Sequence, residues 1–259
     1  MARTRPTPRR RRGPLRHGRV ERLRIDSAAL RGNPLGDPHE RDVFVYLPRQ
    51  AADETDRRFP AVFVLTGFLG IGENPWQRSF GGEALHDRMD RLIHEGACEP
   101  MVVATPDCIT SLGGSQYVDS PAIGDYERFV VDAVVPFVDA NAPTLAARDH
   151  RGVCGKSSGG FGALHLGMRH PKVFGAVASH SGDAYFDYCY QYDFVKCWDA
   201  LRRAGGVDRW LAAFRKRPKI QSADVHVLNI VAMAAAYSPD PLNPGAFDLP
   251  FDLETGEPI

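Results

Sequence analysis

No stretch of this 259-residue chain approaches the roughly 18 apolar residues that a membrane-spanning helix needs, so a bilayer partner is not expected. Net charge is lacking too: 32 Lys and Arg balance 32 Asp and Glu. Cysteine is scarce and odd in number, five residues (Cys98, Cys108, Cys154, Cys189 and Cys197) with no C-x-x-C pair. That pattern argues against a thiol-based metal or redox motif and points to reduced thiols in a cytoplasmic protein. His86 and His94 lie eight apart on a helix-like segment, the wrong spacing for a metal pair on one face, so neither a metal nor a cofactor is expected. No internal repeat is visible either.

The zero net charge hides an asymmetry. Residues 1–24 hold ten arginines against the single acid Glu21, about +9, which leaves about −9 on the rest of the chain. An acidic body argues against a nucleic-acid-binding face. The basic start has no apolar run behind it, so it does not read as a secretory or twin-arginine signal. Residues 1–19 read as a disordered basic arm, and residues 20–259 as one α/β domain large enough to bury a core.

Within that domain, β-like and helix-like segments alternate. RDVFVYLP (41–48), AVFVL (61–65), MVVATPD (101–107), RGVCG (151–155) and GAVASHSG (175–182) read as strands. Leu85, Met89, Leu92 and Ile93 mark one helix, Phe129 to Val138 a second, and Phe161, Leu164 and Met168 a third. This alternation predicts a mostly parallel sheet covered by helices on both faces. Such sheets gather their chemistry at the carboxyl ends of the strands, where Thr66-Gly67-Phe68, Pro106-Asp107, Ser157 and His180-Ser181-Gly182 fall. After residue 183 the pattern changes: helix-like segments cover 195–204 and 207–217, VHVLNIVAMAAAYSPD (225–240) reads as strand or helix with its length and alanines favouring helix, and a Pro-rich loop runs to Ile259.

One stretch, VCGKSSGGFGAL (153–164), admits two readings. Gly155-Lys156-Ser157 resembles the end of a phosphate loop, but G-x-x-x-x-G-K-[ST] requires glycine at position 150, which is His150. Gly152 leaves two intervening residues, too few to curl backbone N–H groups around a phosphate. Gly155-Lys156-Ser157-Ser158-Gly159 also spells G-x-S-x-G, the strand-to-helix turn that presents a nucleophilic serine, and its small residues allow backbone and helix to crowd together. A strand precedes it and an apolar helix follows. The nucleophile elbow is the better reading.

Three blocks carry a resemblance: RGVCGKSSGGFGALHLGMRHPKVFGAVASHSGD (151–183), YVDSPAIGDYERFVVDAVVPFVDAN (117–141) and FPAVFVLTGFLG (59–70). Together they resemble the putative-esterase family of α/β hydrolases, the group of esterase D, the antigen 85 mycolyltransferases and the enterochelin esterases. The resemblance implies an α/β-hydrolase fold and a serine hydrolase of carboxylic esters or thioesters, with a small-molecule ester as its partner and no cofactor. It implies Ser157 as nucleophile, with the backbone N–H groups of Phe68 and Ser158 as oxyanion hole. Lys156, in the variable position of the elbow, would favour an anionic substrate or stay solvated.

The family order is serine, then acid, then histidine, the last two on loops after further strands. After Ser157 come His165 and His170, which read as packing and helix-end residues. His180 sits at a strand end, and His226 opens a helix with Asp224 nearby. None of these fits the expected position of the base, and nothing after Asp240 reads as strand and helix. The domain therefore reads as lacking the last strands and the acid and histidine loops. Two functions stay open: an esterase or related acyltransferase, and an inactive homologue or binding module. Asp119 and Asp125 read as turn and capping residues near the pocket mouth.

Overall fold

The computed structural model describes residues 15–259. Its main sheet has six strands, numbered with the others in chain order: β1 Arg19–Asp26, β2 Glu40–Leu47, β3 Ala61–Leu65, β4 Val102–Pro106, β5 Asp119–Ser120, β6 Gly124–Asp125, β7 Arg151–Lys156 and β8 Ala176–His180. The spatial order is β1-β2-β4-β3-β7-β8, and β5 pairs with β6 alone. β1, β2 and β4 pair antiparallel, whereas β4, β3, β7 and β8 run parallel. Helices follow in the order α1 Gln50–Asp53, α2 Leu85–Glu95, α3 Tyr126–Arg128, α4 Val135–Asn141, α5 Ser158–Arg169, α6 Phe186–Cys189, α7 Gln191–Ala204, α8 Val207–Phe214 and α9 Ser222–Tyr237. A π-helical stretch, Phe129–Val134, joins α3 to α4.

Alternation along the strands explains the two-faced core. Val43, Val45 and Leu47 of β2 join the larger core, with Val102 and Ala104 of β4. Their neighbours Phe44, Tyr46 and Val103 pack on the opposite face with Trp76, which precedes α2, and with Met89 of α2. Side chains of period two, buried on both faces, are what a sheet sandwiched between helices demands. α9 is apolar around most of its circumference and is correspondingly buried from Val227 to Ala236.

β1 was not legible as a strand in its charged sequence. It lies at the sheet edge, where Arg22 and Arg24 pair with Asp42 of β2. Of the expected basic arm, residues 1–14 lie outside the described residues. His17 and Gly18 bond Asp90, and Arg19 already opens β1. The opposite edge is β8, whose five residues are all exposed. Among the described residues no later strand joins this sheet; the chain beyond β8 is helical up to Tyr237. No helix among them is long and apolar enough to cross a membrane.

Candidate functional site

Ser157 sits between β7 and α5 with φ 55° and ψ −124°, a conformation that L-residues seldom adopt and that costs about 1–3 kcal/mol. The sequence permits this turn because its neighbours lack side chains. A Cβ on Gly155 would strike the Gly159 carbonyl, and one on Gly159 would strike the Leu65 carbonyl at the end of β3. The other non-glycine residues of positive φ among the described residues are Leu69, Gln116, Tyr117, Ser181 and Tyr185. All of them belong to loops that converge on Ser157, so backbone strain is concentrated around one serine.

On one side of Ser157 lies the loop after β3. Gly67 would bring a Cβ within 3.5 Å of the Ser157 Cβ, so this loop runs against the serine. Tyr117 fixes it by donating its hydroxyl to the Thr66 carbonyl at 2.7 Å, and Leu69 N–H donates to Gly113 O at 2.8 Å. Thr66, Gly67, Phe68, Asn74, Lys156 and Ser157 line an open cavity of about 530 Å³. The structure thus brings together three residues singled out from the sequence: Ser157, Ser158 beside it at the first turn of α5, and Phe68 across the cavity. Lys156 is exposed on the rim of the same cavity.

On the other side is a hydrogen-bond network that sequence reasoning missed. Ser157 Oγ donates to Asp183 Oδ1 at 3.2 Å, and Ser158 Oγ donates to Asp183 Oδ2 at 3.2 Å. Tyr190 OH donates to the same Oδ2 at 2.8 Å. Gln116 Nε2 donates to Ser158 Oγ at 2.9 Å, and Tyr237 OH, at the end of α9, donates to Gln116 Oε1 at 3.2 Å. Burial pushes the Tyr190 and Tyr237 hydroxyls well above the ordinary phenol range, so both stay neutral donors. Backbone bonds reinforce the arrangement: Ser157 N–H donates to His180 O at 3.1 Å, and Asp183 N–H donates to Ser157 O at 3.4 Å. No signal in the sequence marks Asp183 beyond its place in the loop after a strand end.

The histidines lie elsewhere. His226 pairs with Asp193 at 3.1 Å, while its sequence neighbour Asp224 is taken up by Arg217 and by the N-terminus of α9. His180 meets Ser157 through its carbonyl. His165 and His170 both bond the buried Glu127 at 2.7 Å, joined by Arg169 at 2.8 Å. His170 ends α5 and His165 stacks on Phe161, in keeping with packing and helix-end roles, and both also clamp α3 onto α5. Burial raises the Glu127 carboxyl, but the hydrogen bonds from Arg169, His165 and His170 outweigh that and hold it at about 2. Asp119 serves its turn, accepting from the Arg128 backbone and side chain, and Asp125 pairs with Arg128. Asp107 accepts from the Ile109 N–H. Among the described residues, the side chain bonded to Ser157 is that of Asp183.

Comparison with known proteins gives this geometry its context. The family model described as "Putative esterase" matches residues 37–232. Esterase Rv1288 of Mycobacterium tuberculosis is 29% identical over 201 residues, 72% of this chain and 41% of that protein. An endo-1,4-beta-xylanase/feruloyl esterase of Xylanibacter ruminicola is 27% identical over 164 residues, 60% of this chain and 22% of its own length. The chain therefore spans less than half the length of the curated relatives it matches. Among solved structures, a ferulic acid esterase superposes with a TM-score of 0.53 at 26% identity, over 64% of this chain and 58% of that one. An S-formylglutathione hydrolase (FrmB) of Staphylococcus aureus superposes at 0.50 and 16% identity, over 85% and 75%, a likeness of fold alone. The fold is that of the α/β hydrolases, a mostly parallel sheet flanked by helices.

Proposed function

From its membership of the putative-esterase family, we propose that this chain is an ester-hydrolysing serine hydrolase acting through Ser157. The observation that carries the reading is the strained backbone of Ser157 at the junction of β7 and α5, facing the cavity lined by Phe68. The turn would act as a nucleophile elbow. Ser157 Oγ would attack the acyl carbonyl of a carboxylic ester or thioester. The acyl–Oγ bond forms, the alcohol or thiol leaves with a proton, and water then releases the acid. The N–H groups of Phe68 and Ser158 would receive the charge that develops on the carbonyl oxygen, worth about 3–4 kcal/mol per donor where such donors have been removed. With an alcohol in place of water the same acyl-enzyme would make the chain an acyltransferase.

A second reading is supported by a specific observation: among the described residues no histidine side chain is bonded to Ser157. A serine without an imidazole keeps its proton, and the chain would then be an inactive homologue or a binding module. Fluorophosphonate labelling of the purified protein, read by intact mass beside Ser157→Ala, separates the two. A single adduct that disappears in the variant is expected for the hydrolase. A folded protein that takes up no adduct would favour the inactive homologue.

A further inference from the structure

The placement of Asp183 raises a physical question. A half-buried carboxylate ordinarily finds a cation, because desolvated charge is costly. Asp183 has three side-chain partners, Ser157 Oγ, Ser158 Oγ and Tyr190 OH, and every one is a neutral hydroxyl. Ser157 precedes α5 and Ser158 opens its first turn, where the helix dipole favours an anion, but hydroxyls and a dipole leave the negative charge uncompensated. Asp183 also lines the second concavity at this site, about 420 Å³, whose other walls include Phe161, Leu164, Met168, Phe186 and His165, the last held by the Glu127 carboxylate. Ser157 therefore stands between two unlike surroundings: an open cavity with Lys156 on its rim, and a mostly apolar one whose single acid touches the serine hydroxyl and whose one imidazole, His165, is taken up by Glu127.

We infer that Asp183 is a specificity-determining residue, which makes the side of Ser157 facing α6 accept esters whose nearby substituent is neutral or cationic and reject those that carry an anion there. The inference rests on the reading of Ser157 as nucleophile and goes beyond it by naming a substrate class. A charge a few ångströms from another, in a partly solvated site, changes relative rates by about tenfold. Apolar walls suit an alkylated ammonium, which keeps hydrocarbon around its charge, better than a small hydrated cation.

The test uses the full chain and three fluorophosphonates with short alkyl arms ending in trimethylammonium, its neutral tert-butyl isostere, or carboxylate. In each case the Oγ–P bond forms, the P–F bond breaks and fluoride leaves as the hydroxyl proton passes to solvent. The readout is the second-order rate of adduct formation at Ser157. Asp183→Asn, which preserves the shape and one acceptor, is expected to lower the cation-to-anion rate ratio about tenfold relative to the wild type. Equal slowing of all three probes would overturn the inference, because that is the signature of a loop clip and not of a charge filter. Failure of the wild type to label with the neutral probe would instead sink the reading of Ser157, and the inference with it. Should Asp183→Asn not fold, Asp183→Ser provides the same comparison. In the wild type, tetramethylammonium chloride should slow neutral-probe labelling more than sodium chloride of equal concentration, and equal slowing by the two salts counts against the inference.

Discussion

β4 and β8 are five-residue strands in the parallel part of one sheet, with similar sequences, VVATP and AVASH. Every residue of β4 is buried and every residue of β8 is exposed. The difference is one of position. β4 lies between β2 and β3, with helices over both faces, whereas β8 pairs only with β7 at the sheet edge. The helix that bridges the two regions shares this division. α5 buries Gly159, Ala163 and Leu166 toward the sheet centre, and leaves Leu164 and Met168 exposed on its other side. Ser157 stands at the boundary, with well-packed loops on the β3 side and the Asp183 network on the β8 side. Apolar composition alone is therefore a poor guide to burial in this fold.

The comparison can be broken most forcefully by a matched pair of charges. Ala104→Asp in β4 puts an unpaired carboxylate into the core and should cost at least about 3–5 kcal/mol, enough to unfold many domains. Ala178→Asp in β8 should cost less than about 1 kcal/mol. Urea denaturation of both variants checks this, and equal midpoints would mean that β8 is covered in solution. A smaller effect is expected at the turn. Gly159→Ala sets a Cβ against the Leu65 carbonyl and should cost about 1–3 kcal/mol, with loss of fluorophosphonate labelling before loss of fold.

The clamp at Glu127 sharpens the comparison on the buried side of α5. Its carboxyl is held at about 2 in the folded chain against an ordinary value near 4.5. A depressed folded value means stabilisation that is fully present above about 4.5 and is lost as pH falls through about 2. Glu127→Gln should therefore be less stable than the wild type at neutral pH, by about 1–3 kcal/mol, with the gap closing across that acidic window. A gap that persists at pH 2 would refute the ionic origin of the clamp. The smallest effect belongs to the exposed edge: Val177→Thr should change the melting free energy by no more than about 0.5 kcal/mol.

Much of the fold was legible because its rules are local. Buried strands are short apolar runs, helices repeat their apolar residues every three or four positions, and the G-x-S-x-G glycines answer a steric demand within one turn. β2, β3, β4, β7, β8 and the helices α2, α4, α5, α7, α8 and α9 follow from such patterns, whereas the one-turn helices α3 and α6 are too short to show a period. β1 escaped because Arg19, Arg22 and Arg24 interrupt its apolar pattern, and its eight-residue backbone ladder with β2 is a pairing that no single segment displays. The two-residue strands β5 and β6 are too short to show a period. His165 and His170 looked like ordinary helix residues because their common partner, Glu127, is 38 and 43 positions away.

The site divides in the same way. The sequence by itself determined that a serine would stand at a strained turn between strand and helix, since glycines at 155 and 159 are what such a turn requires. It also determined that Phe68 would follow a neighbouring strand end. Only the tertiary structure decided that Asp183 meets Ser157, that Gln116 and Tyr237 reach Ser158 from elsewhere in the chain, and that the histidines are engaged away from the serine. The physical reason is reach. A steric requirement is met by residues one turn apart and leaves its mark in their order. A hydrogen bond across 26 residues depends on β7 and β8 lying side by side, so that the loop leaving β8 returns to the serine at the end of β7.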